Sequence, residues 1–526
     1  MSRGPDIEVS VPEQFNLGTY YLDENIDKGR GGKIAIYYRD ETYSYNELCA
    51  LTNRIGNILK QLNVDMEDRV LLILQDSPEW IASWYAVLKI GGVATHVYTY
   101  LQPKDYEYFL NYIRPKVVIV DQNTLANVRI AARGSRFPKT MLVVGETVPA
   151  LGKNELAMKT MLASASDRLE AAPTSKDDLA LWNFSGGTTG QPKGVPHMHH
   201  DGMYSYESFQ YMYQYTENDV VFTVPKLFFH YARDLGMNFA IRSGGAMVLV
   251  PERITARLVF DTIKKYAPTV ILNVPTMMRA MIDTPVAERA DLRNLRLCLS
   301  AGEHLSLALH EEFARTFQIE PLNALGSAES FLGYLMARPG EVVPGSTGRL
   351  APLVEVKIVD NEGCEVPRGE TGVLWVRSEA SGSCYHRYHE KTKSTFMGED
   401  WINTNDLFRE DEKGYFWYSG RSDDLLKVSG VYVSTLEIEK CIEGHPAVSQ
   451  CVVLGLKDQD GLIKTKAFIA LDKSAVASEG MAEEIKQFCK QNMSSYKTPK
   501  VIEFLDELPK TGQGKIDKRQ LKERGL

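Results

Sequence analysis

From Ser44 onward the chain alternates strand-like and helix-like segments, and this alternation limits the fold more than any other feature. Ser44 and Glu47 form a capping box, and Leu48, Leu51, Ile55, Leu59 and Leu62 follow at helical spacing. The apolar run 70–74 reads as a buried strand, and Ser77-Pro78 opens a second helix. Strands are expected at 117–120 and 141–144. After the polar stretch 172–177 they resume at 179–184, 220–223, 246–250, 270–274 and 295–300. Such alternation predicts an α/β fold with mainly parallel sheets. From about residue 354 the pattern shortens to strands at 354–359, 372–377 and 415–418 with glycine turns, which suits a small antiparallel barrel or sheet. A last unit has a helix opened by Ser434 and Glu437, strands at 451–454 and 467–471, a helix at 482–491 and a strand at 501–504. The expected division is an N-terminal body over 1–420, with sheet subdomains at about 1–172 and 173–345 and a barrel-like part at about 346–420. An α+β domain over 425–526 completes it.

The 526 residues suggest three or four structural units. With 44% hydrophobic and 24% charged residues, disordered and fibrous classes are excluded. A net charge of −8 leaves no electrostatic footprint for nucleic acid. No run is long and apolar enough to span a membrane, and the polar start 1–13 lacks the features of a signal peptide. Seven scattered cysteines without a CxxC pair read as reduced, cytosolic and metal-free. The expectation is a large cytoplasmic enzyme, monomeric or homodimeric.

The strongest local signal is Ser185-Gly-Gly-Thr-Thr-Gly-Gln-Pro-Lys-Gly194, directly after a strand. Glycines let the backbone approach a phosphate, the threonines add hydroxyl donors, and Lys193 adds positive charge. It is not a Walker loop, because neither Gly186 nor Gly187 has a glycine five positions later. Two more strand ends, Ser300-Ala-Gly-Glu303 and Ala324-Leu-Gly-Ser-Ala-Glu329, add glycines and an acid. In α/β sheets ligands bind beyond the carboxyl ends of strands, so the three ends predict a nucleotide site with Glu329 as a magnesium ligand.

The 185–194 loop and the 324–329 segment are followed by Trp401-Ile-Asn-Thr-Asn-Asp406, Gly420-Arg-Ser-Asp-Asp424 and Pro509-Lys-Thr-Gly-Gln-Gly-Lys515. In this order the five motifs resemble the adenylate-forming superfamily of acyl-CoA synthetases, nonribosomal adenylation domains and luciferases, over nearly the whole chain. Lys226-Leu-Phe-Phe-His-Tyr231 and the stretch 423–433 look most like benzoate–CoA ligases.

The resemblance implies ATP, Mg2+ and coenzyme A, and it implies a role for each motif. Ser185, Gly186, Gly187, Thr188, Thr189, Gly190 and Lys193 would hold the ATP phosphates, with Thr188 also catalytic. Gly302, Glu303, Ala324, Leu325, Gly326 and Ser327 would flank adenine. Glu329 would bind magnesium and act in catalysis. Asp406 would accept from the ribose hydroxyls beside Arg421. Lys515 would be the catalytic lysine of the first half-reaction, and Asp423, within 421–424, the hinge of the C-terminal domain. Lys427, Ser429, Gly430 and Tyr432 would line the approach of the CoA thiol in the second. Leu325 and Ala328 depart from the family, which usually has an aromatic residue and a threonine there.

The acyl pocket, by the same resemblance, is lined by Phe229, His230, Tyr231, Gly326, Phe331, Leu332, Gly333 and Tyr334. These mostly apolar residues suit a ring or short hydrocarbon. Benzoate ligases typically carry a small residue at position 230, and a histidine and a bulky aliphatic at positions 332 and 333. Gly333 therefore predicts extra room and an alicyclic ring such as cyclohexanecarboxylate alongside benzoate. Adenylation domains that load α-amino acids place an aspartate within the segment matching 226–231; here only Asp234 lies nearby. His197, His199 and His200 are expected at the start of the next helix, with no acid at metal-binding spacing. A ligase for aliphatic acids, a non-catalytic nucleotide or acyl-AMP binder, and a luciferase-like oxygenase are the alternatives.

Overall fold

The computed structural model describes the chain except residues 139, 148–149, 187–190, 332, 361, 423–424, 429–430, 458–462, 473–474, 495–496, 510–515 and 526. For residues 425–428, 431–434, 457 and 463 it describes the backbone alone.

Two large sheets make up most of the N-terminal body. One has seven strands in the order Lys193–Met198, Leu179–Ser185, Val93–His96, Arg69–Ile73, Val117–Asp121, Thr140–Val144 and Glu155–Ala157. All its pairings are parallel except the edge hairpin that brackets the glycine-rich loop. Its central strands are buried on both faces, as parallel strands covered by helices must be. The other sheet has nine strands, with Val220–Thr223, Val270–Asn273, Leu297–Ser300 and Pro321–Gly326 parallel near its middle. The helix Tyr45–Gln61 starts on the expected reciprocal Ser44–Glu47 box, and Ser77 caps Pro78–Lys89. One apolar cluster runs through residues of both sheets.

The sheets do not divide at residue 172. The hairpin Ile34–Tyr38 and Glu41–Ser44 pairs onto Ala246–Leu249 in the nine-stranded sheet, whereas Leu179–Ser185 and Lys193–Met198 belong to the seven-stranded one. The polar stretch 172–177 is stitched into the body. Phe15 N–H donates to Thr174 O at 2.9 Å, Thr174 Oγ1 to Phe15 O at 2.7 Å, and Ala172 N–H to Lys89 O at 2.7 Å. These bonds satisfy backbone polar groups at a buried crossing, so polarity there does not mark a boundary.

The part read as barrel-like is a five-stranded antiparallel sheet in the order Ser2–Arg3, Glu355–Val359, Gly372–Arg377, Ile402–Glu410 and Phe416–Arg421. Its first strand comes from the chain's N-terminus, and no pairing among the described residues joins its outer strands. The C-terminal α+β unit has a three-stranded sheet, Val448–Lys457, Ile463–Leu471 and Val501–Phe504. The helices Thr435–Glu443 and Glu479–Asn492 cover one face of it through Ile438, Ile442, Ile485 and Cys489. Leu521, from Lys518–Lys522, packs on the other. Among the described residues no helix is long and apolar enough to cross a membrane.

Candidate active site

The glycine-rich loop is the turn of the edge hairpin, with Lys193 paired opposite Ser185. Residues 187–190, hence Gly187, Thr188, Thr189 and Gly190, lie outside the described residues, but the ends of the loop are fixed. Gly186 is exposed, and a side chain there would meet nothing. Lys193 is half-buried, its ammonium 5.3 Å from the centre of the Tyr385 ring. Burial lowers its pKa, and the nearby Glu329 carboxylate partly opposes that shift. Glu329 is only 8% exposed, and its Oε1 accepts from the Tyr385 hydroxyl. Burial pushes the Tyr385 hydroxyl far up, with Glu329 adding to the shift and Ser185 opposing it, so Tyr385 stays a donor. Ser185, Lys193 and Glu329 thus meet around a tyrosine that carries no motif signal of its own.

Asp406 and Arg421 face each other on adjacent strands, Oδ1 to Nη1 at 3.1 Å. Tyr334, expected at the acyl pocket, is buried, and burial pushes its hydroxyl well up, with Asp406 and Glu329 adding to the shift and Arg421 opposing it. Ala324, Leu325 and Gly326 end the strand Pro321–Gly326, with Gly326 exposed. Ser327 turns back on Ser330, whose N–H donates to Ser327 Oγ at 3.2 Å. Gly302, at φ +84°, lies against Phe229, and a Cβ there would sit 3.3 Å from the ring. The Glu303 carboxylate is committed elsewhere, accepting from Thr276 N–H at 3.1 Å and Thr276 Oγ1 at 2.7 Å. Only its backbone is left to flank a base.

The segment 226–231, expected at the acyl pocket, is anchored by residues that follow strands of both large sheets. Leu227 N–H donates to Asp76 Oδ1 at 3.1 Å, Lys226 Nζ to Val250 O, and the Phe228 ring lies 4.5 Å from Tyr98. His96 faces the Phe228 backbone on one side and, at 3.5 Å, Arg233 Nη1 on the other. Burial is the first cause of three shifts here. It raises the Asp76 carboxyl to about 6, holds the His96 imidazole well below its ordinary value, and lowers the Lys226 ammonium. Phe229 and His230 are partly exposed, with ring centres 4.9 Å apart, and Phe331 is buried at φ +59°.

Two pocket expectations, those for Tyr231 and Gly333, need correction. Tyr231 is 5% exposed, and its hydroxyl lies near Tyr213, Tyr215 and Cys298 in the core, because the segment enters the π-helix Ala232–Asn238 immediately after it. A Cβ on Gly333 would stand 2.3 Å from Met336 Cε, so the room left by the glycine is already filled by a flexible side chain. Asp234, 1% exposed, is consumed by the Arg233 guanidinium at 2.6 Å and by Asn238 at 2.9 Å, so no ammonium group can reach it. Leu332 lies outside the described residues.

His199 and His200 begin the helix His199–Tyr213, but His197 sits on the preceding strand. An acid does accompany the histidines: Asp201 Oδ2 lies 2.7 Å from His197 Nδ1, and Asp201 Oδ1 lies 2.9 Å from His200 Nε2. Among the described residues no group of three or more histidines, cysteines or acids could hold a metal.

In the segment expected to line the approach of the thiol, the backbone forms a hairpin of Leu425–Val428 and Val431–Ser434 with Lys427 opposite Tyr432. Ser429, Gly430, the side chains of Lys427 and Tyr432, Asp423 and Lys515 lie outside what is described. The C-terminal unit touches the body where Lys440 Nζ donates to Tyr418 O at 3.1 Å, beside the buried ring of His304.

Residues 22–386 match the family model described as AMP-binding enzyme, and residues 437–515 match that of the AMP-binding enzyme C-terminal domain. The chain is a member of the AMP-binding enzyme family. It is similar to a benzoate–CoA ligase from Thauera aromatica, 35% identical over 98% of this chain and 97% of that one. It is equally similar to a 4-hydroxybenzoate–CoA/benzoate–CoA ligase from Rhodopseudomonas palustris, 35% identical over 97% and 94%. Among solved structures, an anthranilate CoA ligase in complex with anthranoyl-AMP superposes with a TM-score of 0.91 at 35% identity, covering 98% of each chain. Within the family the protein is an adenylate-forming, AMP-forming acid–CoA ligase of the benzoate–CoA ligase-like kind.

For this AMP-binding enzyme, the groups that sequence motifs did not reveal are Asp76, His96, Asp201 and Tyr385. Glu329 fits a magnesium ion bound through few protein ligands. Its Oε1 is held by Tyr385, while Oε2 makes no hydrogen bond among the described residues, and phosphate oxygens would supply most of the ion's other ligands.

Proposed function

We propose that the protein joins an aryl carboxylate to coenzyme A through an acyl-adenylate, using ATP, Mg2+ and CoA. The observation that carries this reading is the meeting of two unlike walls. Ser185, Lys193, Glu329 and Tyr385 form a polar, charged side, and Phe229, His230 and Phe331 form a ring-rich one. The names of the relatives, all ligases of benzoate-type acids among those most similar, support an aryl acid.

A carboxylate oxygen attacks the α-phosphorus of ATP, and the bond to pyrophosphate breaks. Lys193 and the backbone of the glycine-rich loop orient the phosphates, Asp406 and Arg421 fix the ribose end, and Lys515 meets the charge that builds on the phosphate oxygens. Thr188 adds a hydroxyl donor there. Glu329 would hold Mg2+, which would add charge neutralisation on the phosphate oxygens. In the second half-reaction the CoA sulfur attacks the acyl carbonyl, the bond to AMP breaks, and the thiol proton passes to solvent or to AMP. Rotation about Asp423 brings the hairpin bearing Lys427 and Tyr432 to the thiol's path in place of Lys515.

Planar rings rank first as substrates because Met336 fills the space beside Gly333. An alicyclic ring such as cyclohexanecarboxylate ranks second. The test is AMP formation with ATP, Mg2+ and CoA across benzoate, hydroxybenzoates, 2-aminobenzoate, cyclohexanecarboxylate, butyrate and octanoate. CoA-dependent turnover should be greatest with an aryl acid. Turnover confined to linear acids would overturn the reading of the pocket.

A further inference from the structure

His197 is fully buried, and each nitrogen of its ring faces an acceptor. Nδ1 lies 2.7 Å from Asp201 Oδ2, and Nε2 lies 2.8 Å from the carbonyl oxygen of Ala328. A carbonyl oxygen accepts only. The Asp201 carboxyl also accepts from Met198 N–H at 3.2 Å and faces His200 Nε2 at 2.9 Å, which is how a carboxylate behaves. Burial alone would raise the Asp201 carboxyl, but the hydrogen bonds from His197 and His200 outweigh it and hold it below its ordinary value. With an anion on one side and a carbonyl on the other, both ring nitrogens carry protons.

The ring also lies against Phe331 and Gly382, and the segment it holds carries Glu329. Ala328 precedes Glu329, and the Phe331 ring lies 4.9 Å from that of His197. The next carbonyl, that of Glu329, accepts from Gly382 N–H at 2.7 Å. Gly382 is itself packed against the histidine, since a Cβ there would stand 3.4 Å from His197 Cε1 and 2.5 Å from Val195 Cγ1. Two successive carbonyls are therefore clamped from one side, the first by a charge-assisted hydrogen bond.

We propose that His197, held as an imidazolium by Asp201, is a positioning residue that sets Glu329 for adenylation and seats Phe331 against the acyl group. This rests on the reading of the site given above. Its bond to Ala328 O fixes the backbone one residue before the carboxylate, and its ring supports a phenylalanine held at positive φ. The strand carrying His197 also carries Lys193, so one rigid element aligns the phosphate-loop lysine with the magnesium-binding acid.

The test separates the half-reactions in His197→Gln and Asp201→Asn. Acyl-AMP formation is read as single-turnover pyrophosphate release, and thioester formation is read from supplied acyl-AMP and CoA. Both use the acid selected by the panel, so an error in the aryl assignment changes the substrate and leaves the comparison intact. His197→Gln should slow adenylation about 10- to 100-fold, the size of a lost ligand-supporting bond, and thioester formation less than about 3-fold. Asp201→Asn should act in the same direction and more weakly. In protein labelled with 15N-histidine, two exchange-protected ring N–H signals should come from one residue. Both should vanish in His197→Gln, and one should vanish in Asp201→Asn. Equal losses in both half-reactions, or a single ring N–H in the unmodified enzyme, would overturn the proposal.

Discussion

Residues 226–231 and 328–331 follow strands of the same sheet, yet their anchors carry opposite electrostatic characters. Around 226–231, burial drives the groups toward neutrality: Asp76 up to about 6, His96 well down, Lys226 down. Around 328–331 charge is kept, with the Asp201 carboxyl lowered by its histidines and Glu329 held by a tyrosine that stays protonated. Desolvation acts on both, but only the second region supplies enough donors to offset it. On the proposed reading, the acyl group would lie beside groups whose charged forms burial disfavours, and the nucleotide beside a carboxylate that a tyrosine supplies with a donor.

The sharpest way to break this contrast is Glu329→Gln, which removes charge from the charged side. Acyl-AMP formation should fall about 100-fold or more, whereas thioester formation from supplied acyl-AMP should be nearly unchanged, as pyrophosphate-release and thioester assays would show. A smaller effect is expected from Tyr385→Phe. It keeps the ring over which Lys193 lies and deletes the donor to Glu329. Adenylation should slow about 10-fold and the Mg2+ concentration for half-maximal rate should rise, measured by magnesium titration at fixed ATP. Unchanged magnesium dependence would mean that the hydroxyl only packs.

Asp76→Asn should have the smallest effect on turnover, because an asparagine Oδ1 can still accept from Leu227 N–H. Turnover at neutral pH should change less than about 3-fold, as steady-state assays of the variant would show. Stability offers a second readout. Asp76 is raised from 3.8 to about 6 in the folded state, so the native protein binds more protons than the unfolded chain between these values. The resulting stabilisation is full below about pH 4 and is lost as pH rises through 6. Denaturant unfolding across pH 4–7 should be flatter in the asparagine variant, and a parallel curve would show that Asp76 does not titrate in that window.

The parts legible in the sequence are those whose signal is local. Periodicity and caps placed the helices Tyr45–Gln61 and Pro78–Lys89, and short apolar runs placed the central strands, because each follows from a few neighbouring residues. Ser185, Lys193, Glu329, Asp406 and Arg421 were found through motifs, and the structure brings them to one region. Tyr385 escaped notice because its only distinction is a partner 56 residues away. Asp76 and His96 are ordinary strand-end polar residues until the 226–231 segment lands on them. Asp201 had a signal, four residues after His197, but the pair spans a strand and a helix start and so follows no single period. The room beside Gly333 was misjudged for another reason: volume is decided by which neighbour moves in, and Met336 does.

The hairpin 34–44 has a consequence for how the chain comes off the ribosome. Its partner in the nine-stranded sheet is the strand Ala246–Leu249, with Ile36 opposite Met247. About 210 further residues must be made before that edge can be covered, which at roughly 5–20 residues per second takes on the order of 10–40 s. Throughout that interval the edge of the apolar strand Ile34–Tyr38 that faces away from Glu41–Ser44 has no strand partner, while the 69–73, 93–96 and 117–121 strands can already assemble with one another. A nascent chain of this enzyme is thus a half-built sheet trailing an uncovered edge, and the length of its wait is set by topology.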